Sequence, residues 1–528
     1  MLGKKKKDKK SKEEQRAEEE TSQRPVLVGA PEIQASELEY KAKIGEGAFA
    51  EVFSGKCRGL HVAIKKLKQQ RLSEEATETF KKEVELMCGI RHPNVIRFLG
   101  ACTSEGEVAC VIEYMANGCV EDLLKDKGQP LSTVRKLSLI RDIALGMNWL
   151  HRSIPPIIHR DLKPSNLLLD ANERVIICDF GLSITSPFGV SIRDEKVIRG
   201  TPLYMPPEVM QGQDITTKSD VYSFGLVIWQ IMTRKLPFKD LVQKGSFKIF
   251  SQAVIEGQRP SLKKFPEDCP PSLEALVQAC WATDPHDRPS FDVILDALEE
   301  IIIEASISDV HGRAFWKEHF LGQEEVAWKT FSKAIRNTQI FGVEDSSSKS
   351  RELLCLMAVL AKDGTGPVTM KRFGDFCAWF GPLQSSKKNL PVSKKVSDLL
   401  QRAYFHGDMS STEAETRLDG GEPGTFLIRF SSTERGGYTI SHVTKENVLQ
   451  HQRIYFQPEE GFQVRLRSKA EGGRMTVYAS KRTHLPDFVS KLKDHLFLMH
   501  PCGGSKYKSI FTMQTDVKGY DLDGGRKT

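Results

Sequence analysis

Residues 159–181 read HRDLKPSNLLLDANERVIICDFG, a segment that sets Asp161, Lys163, Asn166 and Asp179 around one apolar run. Toward the N-terminus, residues 44–52 read IGEGAFAEV. Gly45 and Gly47 lie between apolar residues that suit two strands, and glycines there let backbone N–H groups close over phosphates where a Cβ would clash. A plain Gly-rich hairpin turn is the competing reading, and Ala50 stands where a third glycine would be expected. Thirteen residues past Val52, the strand-like run VAIK ends in Lys65. A lysine finishing an apolar strand is ordinarily solvated. Glu83, in the helix-like stretch FKKEVELM, offers it a partner that would fix the ammonium on a nucleotide's α- and β-phosphates.

In chain order, the Gly-rich turn, VAIK, the helical Glu, HRD with its Asn, DFG and a PPE at 206–208 resemble the signature of protein kinases. The resemblance covers residues 38–304 and implies a bilobal protein-kinase fold using ATP and Mg²⁺. It implies that Asp161 accepts the proton of the substrate hydroxyl. Lys163 and Lys65 would stabilise charge on the γ- and α/β-phosphates, with Glu83 holding Lys65. Asn166 and Asp179 become the Mg²⁺ residues. Ile44, Gly45, Glu46, Gly47, Ala48, Phe49, Ala50, Glu51 and Val52 become the turn over the phosphates, and Ile112 borders the adenine. Glu208 is expected to pair with Arg288 of DRPSF, and Asp220 to brace the catalytic segment. HRDLKPSN, with Thr201 in GTPLYMPPE, follows the Ser/Thr pattern, whereas FLGAC and WATDPHDRPSF resemble the tyrosine-kinase-like branch. Ser and Thr are the expected acceptors, with Tyr left open. A silent adaptor is the alternative; such scaffolds typically lose Lys65, Asp161 or Asp179, and all three are present.

A second pattern lies at 425–430, TFLIRF, where Arg429 interrupts a run suited to a strand covered on both faces. Burying a guanidinium requires an anion, either an internal carboxylate or the phosphate of a ligand. YFHGDMSSTEAETRL (404–418), GTFLIRFSSTERGGYTIS (424–441) and LQHQRIYF (449–456) resemble a Src-homology-2 (SH2) domain, an antiparallel sheet flanked by two helices. The GTFLIRFS run is similar to that of the signal transducers and activators of transcription. The resemblance implies a phosphotyrosine site of Arg429, Ser431, Ser432, His451 and Arg453. Two departures stand out: Phe430 replaces the common Glu, and Ser411 stands where a supplementary helix arginine often lies. Kinase first and SH2 last is similar to the SH2-bearing, tyrosine-kinase-like dual-specificity kinases of social amoebae. That resemblance implies signal transduction in the cytoplasm, with recruitment to the inner face of the plasma membrane, protein substrates and phosphotyrosine-containing partners.

Between these patterns, residues 306–400 hold FWKEHF, EEVAWKTFSKAI and VTMKRFGDFCAWF, read as core positions of a helical linker. Within them, AKDGTGPVTMKRFGDF has the outline of an EF-hand. Asp363 is followed by Thr365 and Pro367, and Gly374 stands where a bidentate Glu is needed, so a metal-free helical pair is expected. The whole chain reads as an α+β multidomain protein: a charged tail at 1–35, kinase at 38–304, helical linker at 306–400, SH2 at 404–500 and a C-terminal tail at 501–528.

Composition agrees with this plan. At 528 residues the chain exceeds what one core organises, and 39% hydrophobic content supplies several. The most apolar run, near Val221–Met232, is interrupted by Tyr, Ser and Gln, and no secretory or myristoylation pattern opens the chain. Eleven scattered cysteines without a CxxC suggest reduced thiols. The net charge of +7 is a tail property, because residues 1–12 carry +6 and everything after them only +1. No nucleic-acid motif accompanies it. Lys4–Lys12 is either a solvated tail, a contact with anionic lipid or a nuclear signal.

Overall fold

The computed structural model describes residues 29–512 apart from 48–49, 69–73, 105–106, 186–199, 243–245, 345–346, 348–349, 362–365, 384–389, 432–434, 458–460, 468–474 and 481–483. It divides into two compact units, one ending at Ile301 and one beginning at Ile302.

In the first unit, β1 (Leu38–Glu46), β2 (Ala50–Cys57), β3 (Leu60–Leu67), β4 (Phe98–Ser104) and β5 (Glu107–Glu113) form an antiparallel sheet ordered β1-β2-β3-β5-β4. Helix α1 (Glu74–Gly89) joins β3 to the rest of the sheet. Further along come α2 (Thr133–His151), the hairpin β6 (Leu167–Leu169) and β7 (Val175–Ile177), and α3 (Thr217–Thr233). The hairpin follows Asn166 and precedes Asp179, so a short local pairing brings the two ends of the diagnostic segment together. Helix α3 is apolar on every side and buried almost throughout, as befits the central helix of a helical lobe. It contains the apolar run Val221–Met232, which is therefore core material. Among the described residues no helix is long and apolar enough to cross a membrane.

Order begins earlier than the expected tail boundary at 35. Ile33 is buried against Cys57, Val62, Ile64 and Val111 on the sheet. Its N–H donates to Ala101 O at 2.9 Å, and the Ala101 N–H donates to Pro31 O at 2.9 Å. Gly100 makes this approach possible, since a Cβ there would lie 2.6 Å from Ile33 Cδ1. A single isoleucine in a polar stretch gives no periodicity, which is why the clip is not legible before folding.

The second unit opens with two helix pairs, α4 (Val310–Phe320) with α5 (Trp328–Arg336) and α6 (Arg351–Leu360) with α7 (Met370–Phe380). Between the helices of each pair lie β8 (Glu325–Val326) and β9 (Val368–Thr369), which pair antiparallel. That is the paired-loop outline of an EF-hand couple. The ligand position at Gly374 is closed, because a Cβ there would meet Ser306 O at 1.8 Å; Asp363 and Thr365 lie outside the described residues. Helix α8 (Val392–Leu400) follows.

Next come β10 (Phe405–Gly407), α9 (Ser411–Leu418), β11 (Thr425–Phe430), β12 (Tyr438–Val443), β13 (Leu449–Gln457), β14 (Gly461–Arg467), β15 (Met475–Ser480) and α10 (Leu485–Leu496). The strands stand in the order β10 to β15, antiparallel except for the parallel β10–β11 pair. Helix α9 covers Leu427 and Val443 on one face. On the other, one continuous apolar cluster joins Phe426, Ile428, Phe430 and Phe462 to α10 and to helices α4, α6 and α7. The helical region therefore shares the sheet's core.

The expected tail at 501–528 is likewise corrected at its start. Tyr507 is buried and stacks on Phe405, and Ser505 Oγ donates to Phe405 O at 2.6 Å. All eleven cysteines are free thiols.

Candidate functional site

The sheet of the first unit aligns Gly45, Val52, Lys65 and Cys110 across four strands, so the lysine lies in register with the Gly-rich turn. Directly paired residues share a face, and the Ala63–Ile112 pair therefore borders the same side. Ala63 was not singled out from the sequence, since a small apolar residue carries no chemical signal. The Gly47 N–H closes the turn on Ala50 O at 2.8 Å, and Lys43 bonds Glu46 at 2.7 Å and Glu51 at 2.6 Å. Lys68 also pairs with Glu46. Ala48 and Phe49 lie outside the described residues, and Ile44 is exposed.

Lys65 Nζ donates to Glu83 Oε1 at 2.6 Å and to Asp179 Oδ1 at 2.9 Å. Burial opposes the ammonium, but the Glu83 and Asp179 charges outweigh it and hold Lys65 well above the usual lysine range. In return the Lys65 charge lowers Asp179, against the effect of burial. Asp179 keeps φ at +68°, and Phe180 after it is buried edge-on to His159. Left-handed backbone at a non-glycine residue is costly and held only by dense surroundings.

Asp161 is saturated with donors. Lys163 Nζ reaches Oδ2 at 2.6 Å, Thr201 Oγ1 reaches Oδ1 at 2.8 Å, and Asn166 Nδ2 reaches Oδ2 at 3.0 Å. Lys163 also bonds Thr201 Oγ1 at 2.7 Å. Beneath them, Asp220 accepts the His159 and Arg160 N–H groups at 2.8 Å each and pairs with His151 Nε2 at 2.8 Å. Burial would raise the Asp220 carboxyl, but the His151 hydrogen bond and nearby imidazoles keep it low. His151 was missed from the sequence because nothing local marks it. Asp220 fills the bracing position expected of it. Glu208 and Arg288 form a buried two-pronged pair at 2.7 and 2.8 Å. Cys178 donates to Asn166 O at 3.3 Å, and burial raises its thiol far above the ordinary range, so it packs.

Asn166 spends its amide N–H₂ on Asp161, leaving its carbonyl oxygen, and Asp179 spends only Oδ1 on Lys65. An amide and a carboxylate oxygen brought together by the β6–β7 hairpin are hard donors of the kind Mg²⁺ takes together with phosphate oxygens.

In the second unit, register places Arg429, Thr439 and Arg453 in one row and Leu427, Ser441 and His451 in the next, all on the α9 face. Arg429 is only 3% exposed. Its NH1 donates to Met409 O at 3.3 Å and its NH2 to Ser411 Oγ at 3.2 Å, while among the described residues Nε has no partner. Burial lowers its pKa, with Glu415 opposing. Ser411 thus occupies the place of the absent helix arginine and accepts from Arg429. His451 bridges Ser441 Oγ at 2.8 Å and Glu415 Oε1 at 3.2 Å; neither partner had a sequence signal. Ser431 closes the strand through its N–H to Gly437 O at 2.9 Å, and Ser432 lies outside the described residues. Phe430 points to the opposite face, stacked on Trp379 at 3.7 Å between centroids. The departure from Glu is therefore a core residue facing α7.

The protein tyrosine and serine/threonine kinase family matches residues 38–298, and the SH2 domain family matches 404–474. Dual specificity protein kinase shkC of Dictyostelium discoideum is 42% identical over 81% of this chain and 85% of its own length. Dual specificity protein kinase shkA of the same organism is 38% identical over 94% of this chain and 93% of its own length. The serine/threonine-protein kinase CTR1 of Arabidopsis thaliana is 37% identical over 52% of this chain and 33% of its own length. The chain belongs to the family of SH2-bearing protein kinases that includes the two Dictyostelium proteins, and it is an ATP-dependent protein kinase.

Proposed function

We propose that this kinase transfers the γ-phosphate of ATP to Ser, Thr and Tyr hydroxyls of proteins and is directed to them by phosphotyrosine. Dual specificity is carried from the names of the relatives. Asp161 takes the proton of the incoming hydroxyl, and Lys163 stabilises the charge gathering on the γ-phosphoryl group. Lys65, fixed by Glu83, holds the α- and β-phosphates. The turn Ile44–Val52 covers them, and Ile112 borders the adenine. Asn166 and Asp179 would hold Mg²⁺, which would supply positive charge to neutralise the phosphates. The pairing of Lys65 with Glu83 and Asp179 together is the observation that carries this reading, because it preassembles the nucleotide-facing charges. Transfer of ³²P from labelled ATP by wild type and Asp179→Ala, followed by phosphoamino-acid analysis, tests it. Label must appear on Ser or Thr and on Tyr, and must vanish in the variant.

Arg429, Ser431, Ser432, His451 and Arg453 bind phosphotyrosine. Support comes from the buried Arg429 guanidinium, which among the described residues meets only neutral acceptors. Binding raises local substrate concentration around phosphorylated partners. In the cell the kinase works in the cytoplasm and is drawn to the inner face of the plasma membrane, where Lys4–Lys12, outside the described residues, meets anionic lipid at ~1 kcal/mol per lysine. Deleting residues 2–12 should lower the fraction bound to acidic liposomes; an unchanged fraction refutes the lipid contact.

A further inference from the structure

Helix α7 begins where Thr369 Oγ1 accepts the Arg372 N–H at 3.1 Å, which fixes the register of Arg372 and Trp379 on one face of the helix. From there the Arg372 guanidinium uses its whole fork. Nε donates to Val359 O at 2.6 Å, NH1 to Asp408 Oδ1 at 2.9 Å, and NH2 to Asp408 Oδ2 at 2.7 Å. The group lies over the rings of Trp379, at 4.9 Å, and Phe430, at 5.7 Å. Phe430 is the residue after Arg429, and Asp408 is the residue before Met409, whose carbonyl receives Arg429 NH1. Arg372 therefore grips both the strand that carries Arg429 and the turn against which Arg429 rests. On its other side that turn is closed by Tyr507, since a Cβ on Gly407 would lie 2.0 Å from its hydroxyl. Further along α7, Trp379 O accepts the Tyr438 hydroxyl at 2.9 Å, and Asp375 faces Arg435 Nε at 3.4 Å.

We propose that Arg372 is a positioning residue for phosphotyrosine binding, holding the Asp408–Met409 turn so that Arg429 stays directed into its pocket. The proposal rests on the phosphotyrosine reading of that pocket. The helical region would thereby act on the phosphate site from the opposite face of the sheet. Among the described residues Arg429 Nε has no partner and the guanidinium is held by Met409 O and Ser411 Oγ, both in the segment that Arg372 anchors. The Arg372 and Asp408 side chains are 22% and 50% exposed, and an ion pair that open adds little to stability. Its effect should be read in the aim of Arg429 and not in the melting temperature. Lysine cannot replace the fork, because its ammonium lacks the planar geometry that pairs both Asp408 oxygens while lying over the two rings.

The test is titration of phenyl phosphate into the full chain, followed by ³¹P NMR, alongside thermal unfolding. Arg372→Lys and Asp408→Asn should each weaken binding about tenfold with little change in melting temperature. The double variant should bind no more weakly than the worse single variant, because both break one coupling. Affinities within twofold of wild type, or losses that multiply in the double variant, overturn the proposal. If Arg372→Lys fails to fold, the near-isosteric Asp408→Asn decides alone by the same tenfold criterion. Arg429→Met in the same titration separates the two ideas. If it binds like wild type, or wild type does not bind, the phosphotyrosine reading itself has failed.

Discussion

Among the described residues, Arg288 and Arg429 are the arginines buried most deeply in their units, at 1% and 3% exposure, and they are treated in opposite ways. Arg288 meets both oxygens of Glu208 and gives its remaining donors to the carbonyls of Ala282, Lys218 and Thr283. Among the described residues, Arg429 meets one carbonyl and one hydroxyl and leaves Nε unbonded. A buried arginine is therefore no sign of function in itself; what separates the two is the directly bonded carboxylate that Arg288 has and Arg429, among the described residues, has not. The cost of desolvating Arg288 is met inside the fold by Glu208, whereas Arg429 has no bonded carboxylate among the described residues.

The sharpest break of this comparison is Arg288→Met, which strands Glu208 in the interior and should cost about 3–5 kcal/mol by denaturant unfolding of the first unit. A cost below ~1 kcal/mol would erase the distinction. Arg429→Met should do the reverse. Phenyl phosphate affinity should fall about 100-fold, or about 2.7 kcal/mol, while the unfolding free energy of the second unit holds or rises. Marked destabilisation there would mean that Arg429 is a structural arginine after all.

Buried histidines extend the contrast. His159 in the first unit bonds Cys178 O at 3.1 Å and receives the Asp161 N–H at 3.3 Å. His442 in the second has no partner on either nitrogen, and burial, with a smaller effect of His451, lowers its pKa to about 4. Above pH ~6.5 the ring is neutral in both the folded and unfolded states. As pH falls from ~6.5 toward ~4, the unfolded chain takes up a proton that the folded ring refuses, so stability is lost across that window. The loss should reach about 1.4 kcal/mol by pH 5.5 and disappear in His442→Leu, as read from denaturant midpoints. The smallest effect concerns the N-terminal clip: Ile33→Val should cost about 1 kcal/mol of first-unit stability. No change would mean that the clip adds nothing to the sheet beneath it.

The kinase cleft was more legible than the phosphate pocket because its residues lie in contiguous words. HRDLKPSN places Asp161, Lys163 and Asn166 within one turn of chain, and the β6–β7 hairpin needs only local pairing to bring Asp179 alongside. Glu208 with Arg288 was legible only as one motif meeting another. His151, Glu415 and Ser441 lacked any such mark, since their roles come from partners distant in sequence. Ile33 and Tyr507 were hidden in polar stretches where one apolar side chain sets no period.

The order of motifs alone determined that this is a kinase followed by an SH2 domain, and it named Lys65, Asp161, Asp179 and Arg429, because those chemistries need particular residue types at particular spacings. Tertiary structure decided which buried arginine bonds a carboxylate and which, among the described residues, does not. It also decided that Phe430 belongs to the core, against Trp379 and the Arg372 guanidinium. Burial and the absence of a counter-charge are properties of surroundings assembled from distant segments, and no single stretch of chain carries them.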